Sequence, residues 1–177
     1  MSLLYLLASL PMLNFDAAPA LAPAQFLEAC REQLGAADAA TADALLRGEA
    51  CSHPFAAAWK DKDTILRNAA ARQRARRSGK EADRWLRPAQ GCDCQIESLV
   101  EDAFQEPDPL KREKELDKIR WLITEGLQGT DPLDIKVVFT YALKLAVLSR
   151  WRALSPDQGR ASFQKLTQTS INLGTGE

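Results

Sequence analysis

The sequence has one histidine, His53, and its 23 basic and 24 acidic side chains leave a net charge of −1. A near-neutral balance excludes an acidic tail or a protein that is polybasic overall. His53 is the lone candidate for an imidazole base, and no Gly-x-Ser-x-Gly elbow accompanies it. A phosphate-cradling glycine loop is also missing: Gly126-Leu127-Gln128-Gly129 has no Lys-Ser or Lys-Thr after it and reads as a helix stop. No alternating run predicts a sheet, and no internal repeat is visible. Lys136 and Lys144 interrupt the most apolar stretch well short of the roughly 20 residues that a bilayer span needs. The opening run Ser2 to Phe15 imitates a signal peptide. No Lys or Arg precedes it, however, Pro11 cuts it short, and Asn14 and Asp16 fall where such a leader is still apolar. The expectation is a retained segment in a cytoplasmic protein whose four cysteines stay reduced.

What is present predicts an all-α fold, a single helical domain over residues 1–177 built around a central buried helix near 131–154. Asp131 and Pro132 fit the cap and first position of that helix. Residues 135–151 are apolar on nearly every face. Ser2 to Leu10 is expected to insert into the core as helix or strand. Phe26, Leu27, Cys30 and Leu34 share a helical face that Gly35 ends with a left-handed stop. The Ala-rich stretch 38–47, anchored only by Leu45 and Leu46 and closed by Gly48, reads as a peripheral helix. Residues 54–87 carry Phe55, Trp59, Leu66 and Ala70 at helical spacing and read as a long charged helical arm, solvated, or as a hairpin, with a capping box at Ser78 and Glu81 restarting the helix. Asp93 and Asp108 each cap a further helix; Gly126 and Gly129 close the second, which pairs as an antiparallel hairpin with the central one. Trp121 is placed at that contact, where Trp121→Ala is expected to cost roughly 3 to 5 kcal/mol. A last helix opens on a capping box, Ser155 to Gln158, and turns Phe163 and Leu166 inward.

Two clusters invite a chemical reading. Cys51, His53, Cys92 and Cys94 are soft ligands for zinc in principle, but their one-residue spacers do not match the two-to-four-residue spacing of structural zinc sites, so ordinary thiols are expected. Glu97, Glu101, Asp102 and Glu106 fit the solvated face of one helix, with no paired acid and base. Between Arg67 and Arg87 there are seven Arg and one Lys against Glu81 and Asp83. The run Arg72, Arg74, Arg76, Arg77 and Lys80 is a candidate for contact with an acidic partner. It has little aromatic interleaving beyond Trp85, and the acidic stretch 93–108 offers it neutralising charge. No nucleic acid and no cofactor are expected.

Two stretches carry a resemblance. Tyr5-Leu6-Leu7-Ala8-Ser9-Leu10-Pro11-Met12-Leu13, and Val137-Val138-Phe139-Thr140-Tyr141-Ala142-Leu143-Lys144-Leu145 with Arg150-Trp151 after it, resemble a family of uncharacterised bacterial proteins encoded in V-type ATPase operons. The second stretch is also similar to the helical hairpins of the V-type ATPase connector designated C, or d in eukaryotic vacuolar enzymes. The resemblance implies a non-catalytic connector, whose partners would be the central-shaft subunits and the membrane proteolipid ring. It also implies a peripheral place at the inner membrane through that complex, with no transmembrane helix. This chain is much shorter than the C/d connectors, which carry three similar helical modules, so it lacks part of the socket that receives the shaft or serves in assembly. Tyr141, Leu145 and Trp151 would be framework. Lys144 and Arg150 would lay their stems over core with their charges in water, or meet a partner. A nucleic-acid-binding or regulatory helical module is the alternative function, and a zinc-dependent or other enzyme comes last.

Overall fold

A computed structural model describes residues 2–89, 91–155, 157 and 159–164. Among them are seven α-helices with both ends described and one 3-10 turn, with no strand, and the described residues 157 and 159–164 are helical as well, where the last helix was expected. The helices are α1 (Leu3–Ser9), α2 (Pro23–Gln33), α3 (Ala36–Arg47), α4 (Pro54–Ser78), α5 (Cys94–Ala103), α6 (Pro109–Gln128) and α7 (Lys136–Ala153); the 3-10 turn, Asp83–Trp85, lies between α4 and α5. No described helix is long and apolar enough to cross a membrane.

Two buried clusters organise these elements. The first gathers Leu6 of α1, Phe26 and Cys30 of α2, Ala42 and Leu45 of α3, Phe55 at the start of α4, and Val138 to Leu145 of α7. The second joins Ile65, Leu66 and Ala69 of α4 to Ile96 and Val100 of α5 and to Leu116 and Ile119 of α6. Helix α4 is the beam common to both, and α6 packs along α7 as the expected hairpin. Tyr141 stacks on Phe26 at 5.2 Å, and the edge of His53 meets Phe139 at 4.8 Å, so α7 is central to the first cluster.

Several helix ends follow the sequence. The Asp93 carboxylate accepts from the N–H groups of Gln95 and Ile96, and Asp108 does the same for Leu110 and Lys111. Gly48 and Gly79 stop α3 and α4 in the left-handed conformation, with φ of 70° and 64°.

Other expectations are corrected. Helix α7 starts at Lys136, because Asp131 closes a preceding turn through the Leu133 N–H, and Asp134 rather than Asp131 bonds the first helical amide, that of Lys136. Gly35 is no left-handed stop: its φ is −65°, and it is the cap residue that starts α3. Gly126 lies inside α6, which only Gly129 ends. Segment 54–87 is no solvated arm, since α4 buries Ile65, Leu66, Asn68, Ala69, Ala70 and Ala75. Nor does a helix restart at Ser78. Its hydroxyl donates backward to the carbonyls of Arg74 and Ala75, leaving Glu81 without a cap to complete. Segment 2–10 does enter the core, as helix α1, with Leu6 buried and Leu3, Leu7 and Leu10 packed against the cluster, but it leaves Leu4 and Tyr5 exposed. Phe163 is 68% exposed rather than turned inward, while Pro156, Gln158 and Leu166 lie outside the described residues.

Helix α3 is not peripheral either. It packs extensively on α7, with Ala39 and Ala42 buried there. Small side chains let two helices approach closely, so an alanine-rich face is a packing surface here. Adding three carbons at the fully buried Ala42 overfills it. We expect Ala42→Leu to lower the unfolding free energy by about 2 kcal/mol in urea titrations, whereas a peripheral α3 would leave it unchanged.

Candidate functional site

The contact between α6 and α7 is polar where a bundle seam is usually apolar. At its centre is Asp117, fully buried. One oxygen, Oδ1, accepts from Nη1 of Arg120 at 2.7 Å; the other, Oδ2, accepts from Nε1 of Trp151 at 2.7 Å and from the Arg150 guanidinium. Arg120 continues to α4, where its Nε donates to Oδ1 of Asp63 at 3.0 Å, and Arg67 holds the other oxygen of Asp63 at 2.5 Å. One chain of charge thus ties α7 to α6 and α6 to α4. A carboxylate held by three donors from two helices and fully buried is placed to fix those helices.

Towards the α6–α7 loop the seam goes on. The Thr140 hydroxyl donates to the carbonyl of Thr124 at 3.2 Å. Lys144 pairs with Glu125 at 2.8 Å and lies 4.6 Å from the centroid of the Trp121 ring, whose Nε1 also donates to Glu125. Phe15 of the N-terminal connector meets the same indole edge-on at 5.5 Å. Trp121 therefore does sit at the hairpin contact, but only partly buried. Its truncation leaves a smaller void than a core tryptophan would, and the expected cost of Trp121→Ala falls to about 2 kcal/mol, read as a shift in the urea midpoint.

The basic run of α4 divides by helical period. Arg72 and Arg76 face α5, pairing with Glu97 at 3.0 Å and Glu101 at 3.9 Å. Arg74 pairs with Glu113 of α6 at 2.8 Å, and Arg77 donates to the carbonyl of Phe104. Guanidinium carbons of Arg74, Arg77 and Arg112 surround the Phe104 ring at 5.3 to 6.0 Å. Of the candidate contact residues, Lys80 alone has no partner side chain among the described residues, while Lys144 and Arg150 belong to the hairpin seam.

The thiols and His53 do not converge: no group of three or more His, Cys, Asp or Glu suited to a metal occurs among the described residues. His53 caps α4 instead, its Nδ1 accepting from the Phe55 N–H at 3.1 Å. Cys30 is core, and burial pushes its thiol up to about 12; burial alone does the same to Tyr141. Cys92 and Cys94 are exposed on either side of Asp93. The Lys62 ammonium beside Asp93, with the Ile96 N–H, holds that carboxyl below the usual range.

Sequence reasoning missed Asp117, Arg120 and Asn68. No helical-wheel signal marked Asp117: at about 100° per residue it falls off the side of Leu116 and nearly opposite Ile119, where a solvated residue would stand.

Residues 94–172, just under half of the chain, match the model of a family described as a protein of unknown function (DUF2764). That segment holds α5 to α7 and the whole set Asp117, Arg120, Thr124, Thr140, Arg150 and Trp151, whereas Asp63 and the basic run lie before it. The family description names no ATPase and no partner. No curated protein and no solved structure matches the chain.

Proposed function

We propose that this protein is a non-catalytic component or accessory protein of a bacterial V-type ATPase, a connector of the C/d type between the central shaft and the proteolipid ring. The observation that carries the reading is the position of the residues behind the resemblance. The opening stretch and the 137–145 stretch lie more than a hundred residues apart in sequence, yet Leu6 of one and Val138 to Leu145 of the other share a single buried cluster. Arg150 and Trp151, the remaining part of the resemblance, both hold Asp117. The resembling residues are thus the bracing of the fold. A part that transmits torque needs such stiffness and no catalytic group.

Ion pairing supports this reading over a nucleic-acid module. Arg72, Arg74 and Arg76 already have carboxylate partners, so each would have to exchange a pair before meeting a phosphate backbone. The test is co-purification of the tagged chain with the shaft subunits and proteolipid ring of its own organism at moderate salt. A stoichiometric complex containing both supports the connector. A folded chain that recovers neither removes it.

A further inference from the structure

Beyond the bracing of the bundle, the far half of α4 forms one wall of a cleft. Arg67, Ala71, Arg74 and Ser78 recur at spacings of three and four residues and so fall along one stripe of the helix. After Gly79 the chain folds back over that stripe and is pinned there by Asn68, which is buried. Its Nδ2 donates to the carbonyl of Arg87 at 2.8 Å, and its Oδ1 accepts from the Arg87 N–H at 2.9 Å. Between helix and returning chain opens a cavity of about 470 Å³ lined by Arg67, Arg74, Lys80, Arg87, Trp85 and Asn68 among others. Small-ligand sites span roughly 300 to 1,000 Å³, so a single mononucleotide-sized molecule suits this one.

The lining has four cations and no carboxylate. Arg67 and Arg74 are held by Asp63 and Glu113, which stand outside the lining. Among the described residues, Lys80 and Arg87 have no such partner. Two cations without counter-charge on the rim of a preformed cavity attract an anion, and a guanidinium beside an ammonium matches phosphate oxygens. Trp85 adds a second requirement. Arg84 stacks over its ring at 4.0 Å, and the indole, 44% exposed, lines the cavity as an aromatic surface for a flat ring.

We propose that this cleft binds a nucleoside phosphate, with the phosphates on Lys80 and Arg87, Arg74 and Arg67 adding positive field, and the base stacked on Trp85. The site is independent of the connector reading. A single-stranded nucleic acid fits less well, because the cations that would extend the track, Arg72 and Arg76, turn towards Glu97 and Glu101 on α5.

Isothermal titration of the full chain with ATP, tripolyphosphate, adenosine and a twelve-nucleotide single strand tests this. ATP should bind, and the exposed-residue double variant Lys80→Ala, Arg87→Ala, shown folded by circular dichroism, should bind it at least about tenfold more weakly. Trp85→Ala should weaken ATP by about tenfold and leave tripolyphosphate unchanged, since only the base can stack on the indole. No heat with ATP at millimolar concentration overturns the proposal, as does an unaltered affinity in the folded double variant. Tripolyphosphate binding as tightly as ATP, with Trp85→Ala silent, reduces the cleft to a general anion site. An oligonucleotide that binds more tightly than ATP, and loses affinity steeply with salt, replaces the proposal with a nucleic-acid surface.

Discussion

Asp117→Ala should destabilise the protein by about 3 to 5 kcal/mol, because removing one member of a buried ionic set leaves the others desolvated and unmatched. Arg120 loses one of two acceptors, Trp151 loses the acceptor of its indole N–H, and Arg150 keeps only the face of the Trp151 ring, 5.7 Å from its centroid. For a chain of this length that is a fall in melting temperature on the order of 10 °C. Arg150→Ala should cost much less, since its side chain is half exposed and Arg120 and Trp151 still hold the carboxylate. The ordering of the two variants in urea unfolding is the informative result. Equal losses would mean that Asp117 acts through Arg150 alone, and an unchanged Asp117→Ala would place the carboxylate in water.

Phe139→Ala should cost about 3 to 5 kcal/mol at the other end of α7, as expected for an aromatic ring removed from a sealed core. Phe139 is fully buried, with the rings of His53 and Phe55 at 4.8 and 5.6 Å. Its loss also frees the His53 ring from its packing, so the start of α4 should fray. Hydrogen exchange would show this as faster exchange at residues 55–58 than in Asp117→Ala. Comparable protection there in the two variants would mean that the two clusters melt as one unit from any point of attack.

Why Phe139 was legible in the sequence and Asp117 was not is a matter of what a helical wheel encodes. Phe139 lies in a run apolar all round, which only burial explains. Helix α6 instead has two buried sides. Leu116 and Ile119 face α4 and α5, while Asp117 and Thr124 face α7, and a polar residue on the second side looks like any solvated one. The Ala-rich α3 misled for a related reason: alanine contributes little area as an anchor, and its value as a spacer exists only once α7 lies against it. Local chemistry was read correctly where it is complete within one turn, as at Asp93, Asp108 and Gly48. It failed at Gly35 and Asp131, where the residue belongs to the next element or to a preceding turn. The basic cleft needed the return of residues 79–87 over α4, set by Asn68 across nineteen residues. No local pattern contains that contact.

The proposed role in a rotary ATPase is tested most directly by measuring ATP hydrolysis and ATP-driven ion uptake together, in membrane vesicles from a strain lacking the chain. A connector predicts that hydrolysis by the detached soluble head persists while ion uptake is lost, and that the wild-type chain restores uptake. Uptake and hydrolysis both at wild-type levels without the chain would contradict the account.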